Sequence, residues 1–413
     1  MGTVLFSSIL FLFLTIPFQA FPFDKDDYKR PVDPDSVEIV RDMWGVAHVF
    51  GKTDNDAAYG LAWSHAEDDF ESIRKMYMMA SGVYGLHKGK DGAKFDYVLK
   101  LLKIPQLVDE HYDEVVSDSF KTYLQAYTQG INDYAKANPD EIAVKRMYPI
   151  GPKDALKGYL LSFVLLQKVN TFLEKIMEGS IDDDTEMFNI GSNAYALNPS
   201  ITEDSSTYIT INAHQTLEGQ VAFHEIHMVS EEGMNFLGGT FPGAVSGLHG
   251  SNPNLAWAHT SNSPNEVDVY ELTMHPEKEN YYKFDGEWLK LEKRKVKLSV
   301  EILGFLPFPV KREAYWSKYG ATVKTDSGVY SIRFAGNMKE ALRAPEQWYK
   351  MTKAKNFSEF HSALEMQGIP TKNIIYTPSS RNANRALTGK VWWEVTHQPH
   401  SGTISTISIN CPR

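Results

Sequence analysis

The sequence predicts an α+β protein in which a helical first part is followed by a strand-rich second part. Two observations indicate this fold class. Apolar residues recur at helical spacing in several segments before residue 178, and from residue 192 onward they alternate with polar residues, as in strands. Between the two parts lies the acidic stretch GSIDDDTE (179–186), which is typical of an exposed connector.

The first part contains signals for two short strands and several helices. Residues 37–41 and 46–50 are predicted strands on either side of a turn, and a helix is expected to begin near Asp54, a suitable N-cap. Aromatic and aliphatic residues at helical spacing over 120–134 predict another helix that Asn138-Pro139 stops. The apolar segment 154–176 predicts one long buried helix.

The second part contains alternating segments and one strong turn signal. Residues 208–211, 221–229 and 255–260 are predicted strands. The dipeptide Asp285-Gly286 between two alternating runs predicts a hairpin.

Composition limits the classes of function. With 42% apolar and 12% aromatic residues, the 413-residue chain can build a sizeable core. The net charge of −10 argues against a nucleic-acid partner. Because Cys411 is the single cysteine, no internal disulfide can form, and stability has to come from core burial.

The N-terminus has the character of an export signal. Residues 4–20 are apolar and uncharged, and the charged run DKDD follows at 24–27, so we expect a signal peptide over 1–20 and a secreted or periplasmic location. A basic segment before the apolar run is missing, and a retained membrane anchor is the alternative. No stable membrane insertion is expected of the mature chain.

The stretch Gly191-Ser192-Asn193 places a small flexible residue directly before a serine. Gly191 lacks a Cβ and can hold the strained geometry in which the Ser192 hydroxyl attacks the preceding carbonyl. Cleavage there would make Ser192 an N-terminus, whose α-amine (ordinary pKa roughly 7.7–8.0) can take the hydroxyl proton. The alternative interpretation is a polar turn entering a strand.

Several stretches, in the same order, resemble the penicillin acylase family. These N-terminal-nucleophile amidohydrolases include penicillin, cephalosporin, aculeacin and acyl-homoserine-lactone acylases. The stretches are VRDMWGVAH (40–48), YGLAWSHAEDD (59–69), YTQGINDY (127–134), GSN (191–193), NAHQ (212–215), FPG (241–243), GSNPNLAW (250–257) and NEVDVY (265–270). The resemblance covers residues 37–389.

The resemblance implies a fold and a domain organisation. The fold would be the four-layer αββα sandwich of N-terminal-nucleophile hydrolases, with a helical N-terminal segment. The implied segments are an alpha-chain-like part (21–178), a connector ending at the cleavage site (179–191), a beta-chain-like part (192–389) and a divergent tail (390–413). The two cleaved chains would remain together as a heterodimer, and the substrate would be a small acyl amide.

The resemblance also assigns roles to residues. Ser192 would be the nucleophile, and the Ser261 backbone N–H and the Asn373 side chain would stabilise the oxyanion. Gln215 or His214 matches the residue that contacts the nucleophile's own amine. The candidates for an apolar acyl pocket are Tyr159, Phe163, Leu166 and Phe223.

No cofactor is required for this chemistry, although many family members bind a structural calcium ion. Asn265, the Val267 carbonyl and Asp268 match its strand-side ligands, and Glu174 is a helical candidate. Calcium prefers carboxylate oxygens, and Asn265 stands where an aspartate is common. The resemblance therefore supports the calcium site only in part.

Two other functions compete with this interpretation. Metal-dependent hydrolysis would use the cluster His214, Glu218, His224, Glu225 and His227, but strand alternation puts His224 on the face opposite Glu225 and His227. A non-catalytic secreted homologue acting as a binding protein is the other alternative. It follows from the expectation that the chain is truncated at its C-terminus relative to the family.

Overall fold

The computed structural model describes residues 27–179, 191–262, 265–304, 306–370, 372–379 and, for the backbone alone, 390–392. The predicted signal peptide, most of the connector (179–191), most of the tail (390–413) and Cys411 lie outside the described residues. Among the helices of the described part, none is both long enough and apolar enough to cross a membrane.

The first part is helical, as predicted, and two further helices occur late in the second part. The helices are α1 (Asp54–Ala80), α2 (Gly85–Leu101), α3 (Ile104–Val115), α4 (Asp118–Ala137), α5 (Pro152–Leu166), α6 (Val169–Glu178), α7 (Ala344–Lys353) and α8 (Phe357–Leu364). Short 3₁₀ helices lie at Pro34–Ser36, Pro139–Glu141, Lys145–Met147, Pro199–Ile201 and Lys339–Arg343.

Helix α1 begins where the sequence predicts, but its N-cap is Thr53 and not Asp54. The Thr53 hydroxyl accepts a hydrogen bond from the Asp56 N–H (3.2 Å), and the Asp56 carboxylate accepts one from the Thr53 N–H (2.9 Å). This reciprocal pair satisfies two backbone donors at the open end of the helix. The prediction of a helix that ends at Asn138 is confirmed by α4.

The prediction of one helix over 154–176 is wrong, because the segment is divided into α5 and α6. The break falls at Gln167 and Lys168, where Lys168 adopts a left-handed conformation (φ 57°). Such a conformation ends the helical hydrogen-bond ladder. The Gln167 side-chain oxygen accepts a hydrogen bond from the Gly336 N–H (3.2 Å), so a distant segment stabilises the break.

The second part is built mainly from strands. They are β1 (Glu38–Arg41), β2 (Ala47–Gly51), β3 (Ser192–Leu197), β4 (Tyr208–Ala213), β5 (His224–Ser230), β6 (Asn235–Thr240), β7 (His249–Ser251), β8 (Leu255–Thr260), β9 (Val267–Glu271), β10 (Tyr281–Phe284), β11 (Glu287–Lys290), β12 (Glu292–Ile302), β13 (Leu306–Ser317), β14 (Gly320–Lys324), β15 (Val329–Phe334), β16 (Asn373–Pro378) and β17 (Lys390–Trp392). The predicted strand pair before α1, the strand at 255–260 and the hairpin at Asp285-Gly286 are confirmed. The strand predicted from 221 begins at His224, after a turn.

The strands form two larger sheets and two hairpins. The eight-stranded sheet has the order β1-β2-β5-β6-β7-β8-β16-β17, and the five-stranded sheet has the order β12-β13-β14-β15-β9. The described neighbours pair antiparallel except β2 and β5, which are parallel. The hairpin of β3 and β4 lies against β8 and β16, so Ser192 is the first residue of a strand that contacts the large sheet.

One hydrophobic core joins the two parts of the chain. Trp257 in the large sheet is fully buried and packs against Phe236 and Phe360, with ring centroids 5.3 and 5.8 Å away. From the helical part, the Tyr123 hydroxyl donates a hydrogen bond to the Val245 carbonyl (2.8 Å). The described chain is therefore α+β, as predicted, and its helices and its large sheet share a single interior.

Candidate active site

Ser192 is the first residue of β3 and lies directly against the peptide bond that it would cleave. Its hydroxyl donates a hydrogen bond to the Gly191 carbonyl oxygen at 2.6 Å. Antiparallel pairing of Ser192 with Ala213 fixes the start of the strand. The backbone N–H of His214 donates to the same Gly191 oxygen at 3.3 Å, so this carbonyl accepts two hydrogen bonds.

A mainly apolar cavity opens at Ser192. It encloses about 810 Å³ of empty space, part of it continuous with solvent. Ser192, Gln215 and Ser261 line it, and all four predicted acyl-pocket residues line it as well. These four are Tyr159, Phe163, Leu166 and Phe223. Residues from a helix, the β3–β4 hairpin and the end of β8 therefore meet at one cavity.

The apolar wall is positioned by helix spacing and aromatic packing. Tyr159, Phe163 and Leu166 are four and three residues apart on α5, which places them on one helix face. The Tyr159 hydroxyl accepts a hydrogen bond from the Val245 N–H (2.9 Å), which holds the ring in place. On the other side, Phe223 packs against Phe241 with ring centroids 4.5 Å apart.

Gln215 and His214 follow the end of β4 and differ in their surroundings. Gln215 lines the cavity, and its buried side-chain oxygen has no hydrogen-bond partner among the described residues. His214 is exposed, and its Nε2 lies 3.1 Å from the Asn193 side-chain nitrogen. Of the two candidates for contact with the nucleophile's amine, the structure places Gln215 in the cavity with Ser192.

Asn373 lies beside the cavity wall, where β16 pairs with the end of β8. Its side-chain nitrogen donates to the Thr260 hydroxyl and to the Ser261 carbonyl, both at 3.1 Å. Its side-chain oxygen is buried without a partner among the described residues. The two predicted oxyanion donors are therefore neighbours, although Ser261 lines the cavity and Asn373 stands behind it.

Three ionisable cavity residues, His249, His259 and Lys372, were not predicted from the sequence. Burial lowers the pKa of His249 to about 4 and that of His259 to about 3. The His259 Nε2 accepts a hydrogen bond from the Trp348 indole N–H (2.9 Å), which requires this nitrogen to be unprotonated. Lys372 is the third. Its place directly before Asn373 was visible in the sequence, but a lysine ahead of a strand is usually an exposed residue.

Of the residues predicted to bind calcium, Asn265 and Asp268 contact each other, and Glu174 lies on α6. The Asn265 side-chain nitrogen donates to one oxygen of Asp268 (2.6 Å), and the Tyr270 hydroxyl donates to the other (3.2 Å). Glu174 is exposed, and its charge acts on Lys94. Within the described ranges there is no group of three His, Cys, Asp or Glu side chains that could hold a metal ion. These contacts do not fit a calcium site, which stays a prediction.

The histidines of the proposed metal cluster lie on opposite faces of β5, as alternation predicts. His224 stacks on the buried His65, with ring centroids 4.0 Å apart. His227 lies on the other face, where its Nδ1 is 3.0 Å from the Nδ1 of His48. The two side chains therefore cannot act on one ion.

Comparison with known proteins identifies the family. The family model described as penicillin amidase matches residues 36–403. The chain belongs to the penicillin amidase family, which is the family that the sequence motifs indicate.

The curated relatives are acylases whose sequence identity to this chain is low. The acyl-homoserine lactone acylase PvdQ of Pseudomonas fluorescens (strain Pf0-1) is 22% identical over an alignment of 405 positions, which covers 89% of this chain and 51% of the relative. Penicillin G acylase of Escherichia coli is 27% identical over 149 residues, 36% of this chain and 17% of that protein. The chain matches the PvdQ relatives along most of its own length. It spans about half of their length.

Among solved structures, a thermostable penicillin G acylase from Alcaligenes faecalis superimposes on part of the chain. The TM-score is 0.38 at 22% identity, and the match covers 45% of this chain and 32% of that chain.

Proposed function

We propose that this chain hydrolyses an acyl-amide bond in a small, linear, non-peptide substrate, with Ser192 as an N-terminal nucleophile exposed by self-cleavage. Family membership supports the reaction class. The position of Ser192, Gln215, Ser261 and the four acyl-pocket residues around one cavity supports the assignment of their roles.

Self-cleavage would begin with attack of the Ser192 oxygen on the Gly191 carbonyl carbon. The peptide nitrogen leaves, takes a proton and becomes the Ser192 α-amine, so that an ester joins the Gly191 carbonyl to the Ser192 oxygen. Water then hydrolyses the ester, which releases the Gly191 carboxylate and restores the Ser192 hydroxyl. The contact of the hydroxyl with the Gly191 carbonyl supports the first step, and the hydrogen bond from the His214 N–H to the same oxygen supports a role in stabilising the developing oxyanion.

In turnover, the freed amine would act as the general base for the Ser192 hydroxyl. The oxygen attacks the substrate carbonyl, the oxyanion is stabilised by the Ser261 N–H and the Asn373 amide, and the amine product leaves with a proton. Water then releases the acid from the acyl-enzyme. The unpartnered oxygen of Gln215 supports a role in accepting a hydrogen bond from the Ser192 amine.

The observation that carries this proposal is the convergence of nucleophile and acyl wall at one cavity. The test is a panel of p-nitroanilides with aromatic, short and long fatty acyl groups. Wild-type protein should release p-nitroaniline and the Ser192→Ala variant should not. Release by both proteins at the same rate, or an uncut chain that binds amides without hydrolysing them, would reject the catalytic role; the second result would favour the binding-protein alternative.

Export is a further part of the proposal. The uncharged apolar run at 4–20 supports a signal peptide and a secreted or periplasmic location. Sequencing the N-terminus of protein recovered outside the cytoplasm tests this. Cleavage near residue 20 is the expected result, whereas an intact leader in the membrane fraction would favour the retained anchor.

A further inference from the structure

Lys372 is the single lysine or arginine among the described residues that line the cavity. The described lining residues include no aspartate or glutamate, and His249 and His259 are neutral at pH 7 because burial lowers their pKa values. Most of the remaining lining is apolar or aromatic. Among the described residues, Lys372 is therefore the side chain that presents charge to a ligand in this cavity.

The Lys372 ammonium has no direct partner in the described part of the chain. No described side chain forms a hydrogen bond or ion pair with it, and the acidic group that acts on it is Glu266. Burial lowers the pKa of Lys372, and the charge of Glu266 raises it again. Burial also raises the pKa of Glu266, which is not a lining residue in the described chain.

An ammonium group that has lost part of its hydration without gaining a partner is costly. A ligand carboxylate that enters the cavity would supply the missing partner. We propose that the substrate carries a carboxylate and that Lys372 binds it. This inference rests on the proposed function and specifies its substrate class. Because Asn373 follows Lys372 directly and Ser261 lines the same cavity, the carboxylate would bind on the side of the cavity that holds the predicted oxyanion donors.

The carboxylate could belong to the acyl group or to the amine. Three chromogenic amides separate these sources: hexanoyl p-nitroanilide, the adipic acid mono-p-nitroanilide, and the hexanoyl amide of 5-amino-2-nitrobenzoic acid. One charged amide should have a kcat/KM about tenfold to a hundredfold above that of the neutral amide, the gain expected for a charge-assisted hydrogen bond. Equal values, or a preference for the neutral amide, would overturn the inference.

Variants of Lys372 test whether the preference for a charged amide depends on the charge of this side chain. Lys372→Met keeps an unbranched side chain and should reduce the ratio of charged to neutral kcat/KM to about one. Lys372→Arg should keep much of the ratio, and Lys355→Met, at an exposed position before α8, should leave it unchanged. An unaltered ratio in Lys372→Met would exclude Lys372 as the carboxylate-binding residue.

Binding measurements separate this inference from the proposed function. The three amides are titrated into the Ser192→Ala protein by calorimetry, which needs no turnover and no change at Lys372. Tighter binding of a charged amide supports the carboxylate site even if the wild-type protein hydrolyses nothing. If the wild-type protein hydrolyses amides but the Ser192→Ala protein binds charged and neutral amides equally well, the proposed function is supported and the carboxylate site at Lys372 is rejected.

Discussion

Asn373 provides a residue-scale test of the oxyanion assignment. Its side-chain nitrogen donates to the Ser261 carbonyl at 3.1 Å, so it lies beside the residue whose backbone N–H is the other predicted oxyanion donor. We expect Asn373→Ala to lower kcat by about 10²–10³, the usual effect of losing one oxyanion donor. Steady-state kinetics on a p-nitroanilide measures this, and thermal unfolding checks that the variant is folded.

The control for this substitution is Asn235→Ala on the exposed face of β6, where Asn235 contacts His227. It should leave kcat close to the wild-type value. Equal losses in both variants would mean that Asn373 supports the fold and does not act on the oxyanion.

The two half-buried histidines of the cavity predict a pH-dependent stability. Their pKa values in the folded protein, about 4 for His249 and about 3 for His259, lie below the ordinary value of about 6.5. Below pH 6.5 the unfolded chain therefore binds protons that the folded chain does not, and stability falls as the pH falls toward 4. Each histidine contributes at most about 1.4 kcal/mol per pH unit.

Urea unfolding at pH 7, 5.5 and 4.5 measures this loss. His249→Gln should reduce the difference between pH 7 and pH 4.5, and His111→Gln on the surface of α3 should not. If the His249→Gln protein lost as much stability as the wild type over this range, the histidine would not be responsible.

Among the site residues, the sequence predicted those that belong to a recognisable motif or spacing, and it did not predict those outside such patterns. Gly191-Ser192 and the spacing of Tyr159, Phe163 and Leu166 are visible in the chain. The cavity position of Lys372 depends on how β16 pairs with β8, and no local pattern encodes that pairing.

Among the elements, α1 depends on its N-terminal cap. Thr53 and Asp56 satisfy each other's backbone donors, and the helix that follows packs on β2 and β5. Thr53→Ala should lower the free energy of unfolding by about 1 kcal/mol, because the hydroxyl acceptor is lost. Chemical denaturation measures the change. The matched variant Thr53→Ser retains the acceptor, so a loss as large in Thr53→Ser would contradict the capping explanation.

The division of the predicted helix into α5 and α6 explains why some elements could not be read from the sequence. Periodicity continues through Gln167 and Lys168, and neither residue is a strong helix breaker. The break is stabilised by a hydrogen bond from Gly336, far along the chain. By contrast, the hairpin at Asp285-Gly286 was predictable because its turn depends on those two residues, both of which have positive φ.

Across the whole molecule, the shared core predicts that the cleaved chains stay together. Tyr123 and Tyr159 form hydrogen bonds to the backbone of Val245, and Trp348 packs on Tyr159 with ring centroids 5.9 Å apart. After cleavage, denaturing electrophoresis should show two chains, and size-exclusion chromatography in native buffer should show one complex containing both. Separate elution of the two chains without denaturant would contradict the shared core.

N-terminal sequencing of purified, active protein tests whether Ser192 is an N-terminal nucleophile. We expect two N-termini, one of them beginning Ser192-Asn193-Ala194, and we expect the Ser192→Ala protein to stay uncut and inactive. A full-length chain that hydrolyses amides with the Gly191–Ser192 bond intact would contradict the claim that Ser192 acts as an N-terminal nucleophile.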